Sequence, residues 1–196
     1  MIFFLIAPSC AGKDLIMKML LQDEDLDLRM LGMFTTRPMR NGEKQGEPYH
    51  FGTMDDMVYL KEQDRIIESR SYTTNKGIWH YGTMLPEDFD PKKDYIYTAT
   101  IESYHKIFQF FKGYNWKHCC EVQLYPIYIQ VSEKTRLQRA IDQRPDLIEA
   151  CRRFIADATD FSEENVASIP CMKTFENEKE LPVKQIKDYI LSKKGR

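Results

Sequence analysis

The apolar residues of this chain follow two patterns, which take turns along the sequence. Some form short continuous runs, and others recur at the spacing of one face of a helix. Residues 2–6 form a run of five apolar residues, which is typical of a strand buried on both faces of a parallel sheet. After a turn of small residues, Leu15, Met19 and Leu20 recur at helical spacing and predict a helix over residues 13–22. The chain therefore opens with a strand, a tight turn and a helix.

The same alternation continues to the end of the chain. We expect further strands at residues 28–34, 66–71, 78–81, 95–100, 123–131 and 172–175, and helices at residues 54–63, 102–111, 133–143, 147–161 and 180–191. A turn at residues 73–77 predicts a small antiparallel unit, and Arg144-Pro145 separates two of the helices. Strands alternating with helices predict an α/β fold with a parallel sheet flanked by helices, interrupted by a mixed α+β insertion at about residues 35–85.

Composition and charge narrow the class of protein. The 196 residues suffice for one α/β core, and the formal net charge of −2 indicates no broad attraction to nucleic acid or anionic membranes. The five cysteines contain no C-x-x-C pair, which favours reduced thiols in a cytosol. The first apolar run lacks a basic leader, and no run approaches the ~20 residues that cross a bilayer. We expect a soluble, cytoplasmic protein.

The turn after the first strand carries the first candidate site. It reads Ala7-Pro8-Ser9-Cys10-Ala11-Gly12-Lys13 and is followed by Asp14 and Leu15. A strand, a small-residue loop, Gly-Lys and a helix resemble the phosphate-binding loop of P-loop NTPases, whose N–H groups and lysine bind polyphosphate. Alanine replaces the first glycine of that pattern, and Asp14 replaces a hydroxyl that usually ligates magnesium. A chance turn before a helix is the alternative interpretation.

A long polar loop carries the second candidate site. Arg37 and Arg40 are three residues apart, and Tyr49 supplies a phenol. Guanidinium groups match phosphate oxygens bidentately, so these residues are suited to a monophosphate. By itself, an arginine pair in a loop is more often a solvated surface feature.

The two loops together resemble those of guanylate kinases. The segment TTRPMRNGEKQGEPYHF, residues 35–51, has every fixed position of the family's TTR-x-x-R-x-G-E-x-x-G-x-x-Y-x-F pattern. The resemblance continues through Ile67-Glu68 and Tyr81-Gly82-Thr83, and the order of elements fits the family along the chain.

The resemblance implies an ATP-dependent kinase that phosphorylates GMP to GDP with Mg²⁺. It implies a core of residues 1–34 and 86–196, an insertion of residues 35–85 that binds GMP, and a helical lid at about residues 133–155. The residues implied to hold the GMP phosphate are Arg37, Arg40, Tyr49 and Tyr81. Glu68 would accept the two N–H donors of guanine, with Thr83 in support. The implied catalytic residues are Lys13 and the lid arginines Arg139, Arg144 and Arg153, which belong to a basic cluster with Arg136 and Arg152.

The chain also departs from the family pattern. Thr98-Ala99-Thr100 stands where the family has Asp-x-Asp, one carboxylate for magnesium and one for guanine. Asp14 and Thr98 exchange a carboxylate and a hydroxyl between two positions, so the pair is a candidate magnesium site. Thr100 takes the guanine-side position. A family serine near the base is replaced by Met33 or Phe34, and the late Asn-Asp falls near Glu176-Asn177.

Two alternatives to a GMP kinase stay open. Ribose bisphosphate phosphokinases resemble this family and carry Gly-Lys-Asp in the phosphate loop, as residues 12–14 do here. Guanylate kinase-like domains of scaffolding proteins keep the fold as weak or inactive binding modules, although they typically lose the phosphate loop. For the enzyme, the expected partners are GMP and ATP, without nucleic acid or membrane, in a monomer or homodimer.

Overall fold

The computed structural model describes residues 1–74, 77–143 and 146–195. The strands over these residues are β1 (Ile2–Ile6), β2 (Leu28–Met30), β3 (Gly32–Thr35), β4 (Tyr49–Phe51), β5 (Ile66–Thr74), β6 (Gly77–Met84), β7 (Asp94–Ala99), β8 (Leu124–Gln130) and β9 (Lys173–Glu176). The helices are α1 (Lys13–Leu21), α2 (Met54–Glu62), α3 (Ile101–His118), α4 (Glu133–Gln143), α5 (Leu147–Asp160), α6 (Glu163–Ala167) and α7 (Val183–Lys194).

A five-stranded sheet with the order β2-β7-β1-β8-β9 forms the larger of two compact units, which comprises residues 1–29, 92–105 and 122–196. Strand β1 pairs in parallel with β7 and β8, and β8 pairs in parallel with β9. All five residues of β1 are fully buried, as expected of a central parallel strand. The prediction of a parallel α/β sheet is confirmed.

A four-stranded sheet with the order β4-β3-β6-β5 forms the second unit, which comprises residues 30–91 and 106–121. Strand β6 is antiparallel to both β3 and β5, and β4 pairs in parallel with β3. The helix α2 begins with a capping box in which Thr53 and Asp56 satisfy each other's backbone N–H groups. A small apolar core of Phe34, Met57, Ile66 and Met84 holds this unit together.

Several predicted boundaries were wrong. The single strand expected at residues 28–34 is two strands in different sheets, because the chain passes from one sheet to the other at Leu31. Helix α3 is longer than residues 102–111, and the ring of Tyr114 stacks on Phe110 and His118 in the added turns. Strand β4 and helix α6 were not predicted. The centre of the turn at residues 73–77 and the break at Arg144-Pro145 lie outside the described residues.

Within the described ranges, none of the helices combines the length and the apolar character that a membrane-spanning segment requires. All five cysteines are free thiols.

Candidate active site

The candidate phosphate loop, residues 7–13, connects β1 to the start of α1. Gly12 has φ +83° and is the N-cap of α1, a backbone conformation that glycine adopts without strain. Gly12 has no side chain to accept the N–H groups of the first helical turn, and such groups are common phosphate ligands. A Cβ atom at Gly12 would lie 2.8 Å from Asn177 Nδ2, which donates to the Ala11 carbonyl at 2.9 Å. The fully buried Asn177 therefore fixes the loop backbone.

A buried carboxylate holds the other end of the loop. Asp157 Oδ2 accepts from the Ser9 N–H at 2.8 Å and from Arg136 Nη2. Arg136 Nε donates in turn to the Ser9 carbonyl at 2.9 Å. Because Arg136 and Asp157 are 6% and 9% exposed, this is a buried ion pair that clamps the loop from α4 and α5.

The lid arginines differ in their surroundings. Arg139 lies against the loop, since its Nη2 donates to the Asn177 carbonyl at 2.7 Å and its Nη1 to the Cys10 carbonyl at 3.5 Å. Arg153 instead pairs with Glu149 at 2.9 Å and is partly exposed. Arg152 and then Arg153 hold the pKa of Glu149 down at about 2. Arg144 lies outside the described residues.

The candidate magnesium residues are both in the larger unit. The Asp14 carboxylate is 81% exposed and lies 3.8 Å from Lys13 Nζ. Thr98 is half-buried on β7, where it pairs in register with Leu5. Among the described residues, no group of three or more histidine, cysteine, aspartate or glutamate side chains could hold a metal by itself. The oxygen donors of Asp14 and Thr98 suit Mg²⁺, which commonly takes one or two carboxylates together with substrate phosphates and water.

Thr100 has a local structural role at the start of α3. Its Oγ1 accepts from the Ser103 N–H at 3.2 Å, and its own N–H donates to Ser103 Oγ at 2.9 Å. This reciprocal arrangement satisfies N–H groups at the helix N-terminus.

The implied GMP residues gather on one face of the four-stranded sheet. In register, Tyr81 pairs with Thr35 and Arg70, while Thr83 pairs with Met33 and Glu68. Alternate residues of a strand share a face, so these side chains lie together with those of β4. The ring of Tyr81 lies 5.9 Å from that of Tyr49 and 5.6 Å from that of Tyr72, centroid to centroid. Four of the implied residues, Tyr49, Glu68, Tyr81 and Thr83, are therefore on the same face.

The guanidinium group of Arg37 is positioned by an acidic residue of its own loop. Its Nη1 and Nη2 donate to the two oxygens of Glu43 at 2.9 and 2.8 Å, and its guanidinium lies 5.2 Å from the Phe51 ring centroid. Burial by itself would lower the pKa of Arg37, but Glu43 and Tyr81 outweigh it and the pKa is raised. Glu43 also accepts from the Arg40 N–H at 2.7 Å, and the Arg40 side chain is exposed.

Glu68 is the most buried acid on this face. Its side chain is 1% exposed, and its Oε1 accepts from the Thr83 hydroxyl at 2.6 Å and from Arg70 Nη1. Within the described part of the chain, no hydrogen-bond partner reaches Glu68 Oε2. A buried carboxylate oxygen without a donor requires an explanation, and a ligand N–H would supply one.

Sequence reasoning missed three of these partners. Asp157 and Arg70 carry no motif, and their contacts depend on pairings that the sequence does not display. Glu43 is a fixed position of the acceptor-loop pattern, so the pattern contained a signal for it. The spacing of six residues from Arg37 to Glu43 was the available clue.

Known proteins that resemble this chain in sequence or in fold include guanylate kinases. The guanylate kinase family model matches residues 2–87. Guanylate kinase of Paraburkholderia xenovorans is 38% identical over 82 residues, which are 42% of this chain and 34% of the relative. Guanylate kinase of Pasteurella multocida is 38% identical over 86 residues, 43% of this chain and 40% of the relative. The matched segment thus spans little more than a third of the length of these curated relatives.

A solved structure extends the likeness in fold to nearly the whole chain. The crystal structure of guanylate kinase from Anaplasma phagocytophilum superposes with a TM-score of 0.66 over 98% of this chain and 85% of that chain, at 19% identity. The fold is an α/β fold of the P-loop NTPase type. In sequence, the similarity to guanylate kinases is confined to part of the chain, residues 2–87 by the family model.

Proposed function

We propose that this protein transfers the γ-phosphoryl group of ATP to GMP, giving ADP and GDP. The observation that carries the proposal is the acceptor face, where Arg37, Tyr49 and Tyr81 cluster on the sheet that also buries Glu68. Cationic and phenolic donors suit a monophosphate, and a carboxylate suits the N–H edge of an oxopurine. The guanylate kinase family model matches residues 2–87, the segment that holds these residues.

Phosphoryl transfer requires mainly positioning and positive charge. Lys13 and the N–H groups at the start of α1 would bind the ATP phosphates, and Arg139 lies against the same loop. Arg153 and Arg144 remain proposed lid residues. Arg153 would release its ion pair with Glu149 and bind a phosphate group instead. Asp14 and Thr98 would hold Mg²⁺, which shields phosphate charge when bound. An enzyme that uses these nucleotides would work in the cytoplasm.

The second candidate is a kinase of another small phosphorylated acceptor such as ribose bisphosphate, and Asp14 is the residue that favours it. The third is a catalytically weak module that binds GMP. The second candidate would use the same phosphate loop as a GMP kinase, and the third would use the same acceptor face. The three are therefore distinguished by which acceptor the protein binds and which it phosphorylates.

A coupled assay for ADP release with ATP and Mg²⁺ tests the proposal against GMP, dGMP, IMP, AMP, UMP and ribose bisphosphate. We expect turnover of GMP and at least about 100-fold lower kcat/KM for AMP, because adenine N1 places an acceptor against Glu68. Lys13→Met should lower kcat by about 100-fold or more, whereas Lys18→Met, an exposed lysine of the same helix, should not. Turnover of ribose bisphosphate alone would support the second candidate, and GMP binding without turnover the third.

A further inference from the structure

The carboxylate of Glu68 is asymmetric in its hydrogen bonding, and this asymmetry bears on base recognition. A carboxylate has two oxygens with about four lone-pair sites in total. Oε1 already accepts two donors, the Thr83 hydroxyl at 2.6 Å and Arg70 Nη1. Oε2 is buried and has no partner within the described residues.

The resident partners come from the strands themselves and are not incidental. Thr83 on β6 pairs in register with Glu68 on β5, so its hydroxyl is fixed beside the carboxylate. Arg70 is two residues further along β5 on the same face, and its side chain is only 14% exposed. Both donors are therefore built into the sheet, and a ligand would have to displace one of them to use Oε1.

Guanine and hypoxanthine differ in the number of N–H donors that they present to this carboxylate. Guanine presents N1–H and a 2-amino N–H side by side, which together match two carboxylate oxygens. Hypoxanthine presents N1–H but has no 2-amino group. With only Oε2 available, N1–H is the donor that the site can accept in good geometry, and both bases carry it.

We propose that Arg70 is a specificity-determining residue that restricts Glu68 to one oxygen, so that the acceptor is a 6-oxopurine nucleoside monophosphate with or without a 2-amino group. The inference rests on the proposed kinase function and names its substrate class. Adenine is still rejected, because its N1 would place a lone pair against Oε2. The 2-amino group of GMP contributes little, so IMP is a substrate of similar quality.

The test is the ratio of kcat/KM for GMP to that for IMP. In the native protein we expect a ratio within about tenfold of one. Arg70→Met removes the donor and frees Oε1, so the ratio should rise by about 10- to 100-fold, which is the effect of one hydrogen bond to a charged group. Arg65→Met is the matched control, because Arg65 pairs with Glu87 at 2.8 Å outside the acceptor cluster, and its ratio should equal that of the native protein.

A native ratio above about ten would overturn the inference while leaving the kinase function intact, and so would a folded Arg70→Met protein with an unchanged ratio. Circular dichroism checks that the variant is folded. If the Arg70→Met variant is not folded, the ratio measured for the native protein alone tests the inference. Absence of turnover with every acceptor would refute the proposed function instead. The ratio of the dissociation constants of GMP and IMP, measured by calorimetry, would then decide the inference in the same way.

Discussion

At the scale of single residues, Asp14 is the least usual residue of the candidate phosphate loop and the turn that follows it. It follows Lys13 directly, is 81% exposed and lies in the first turn of α1. A carboxylate there is favoured by the helix dipole even without a metal. Its solvent exposure leaves it accessible to a hydrated cation, whereas the hydroxyl of Thr98 is half-buried on β7.

These two positions should contribute unequally to Mg²⁺-dependent turnover. We expect Asp14→Ala to lower kcat at saturating ATP by about tenfold or more, since the carboxylate carries the charge that attracts the cation, and Thr98→Ala to have the smaller effect. A titration of kcat with Mg²⁺ for the two variants measures the difference. Full activity of Asp14→Ala would exclude the exchanged pair as the metal site.

The residues of the local motifs were predictable, and those paired over long distances were not. Lys13 and Gly12 follow a strand and open a helix, and the acceptor segment from Arg37 to Phe51 repeats a known spacing, so both could be located from adjacent residues. Asp157 meets Ser9 across 148 positions, and only the folded chain brings them together. Arg70 is visible in the sequence, but its effect on Glu68 depends on the pairing of β5 with β6.

Among the elements, α5 carries a cluster of three charged side chains in its first two turns, Glu149 with Arg152 and Arg153. Glu149 accepts from Arg152 Nε at 2.7 Å and from Arg153 Nε at 2.9 Å, and these arginines, Arg152 first, lower its pKa from 4.5 to about 2. The Asp146 side chain caps the same helix by accepting from the Glu149 N–H at 2.9 Å. The pairs are solvent-accessible, so their contribution to stability is modest.

The stability of the protein should depend on Glu149 in acid. Because the folded-state pKa is depressed, the contribution is fully present above the unfolded value of 4.5 and is lost as pH falls toward about 2. Glu149→Gln should therefore weaken the decline of the urea midpoint between these pH values. Equal slopes for the native protein and the variant would show that the pairs do not form in solution.

At the scale of the whole molecule, interactions between distant segments support the larger unit. The Met1 ammonium pairs with Asp94 at 3.1 Å, and Lys187 pairs with Asp23 at 2.8 Å. The Arg136–Asp157 pair differs from these surface contacts because both side chains are buried. Removing one member of such a pair leaves the other as an uncompensated charge.

Asp157→Asn should consequently destabilise the protein by about 3–5 kcal/mol, the range for breaking a buried ion pair. The asparagine can still accept from the Ser9 N–H, so the loss reports chiefly on Arg136. Chemical denaturation followed by circular dichroism measures it. The matched control is Arg152→Ala, which removes the ion pair between Arg152 and Glu149. Because the Arg152 side chain is 43% exposed, this variant should lose less than about 1 kcal/mol of unfolding free energy. Similar losses in the two variants would contradict a special role for the buried pair.

The hydrogen bond from Asn177 to the Ala11 carbonyl spans 166 positions of the chain. During synthesis on the ribosome, the residues of the phosphate loop emerge long before the amide that fixes them. At about 5–20 residues per second, the delay is on the order of ten to thirty seconds. In the first part of that interval the nascent chain exposes the apolar strand β1 without its neighbours β7 and β8, and this is the period in which a chaperone would be of most use.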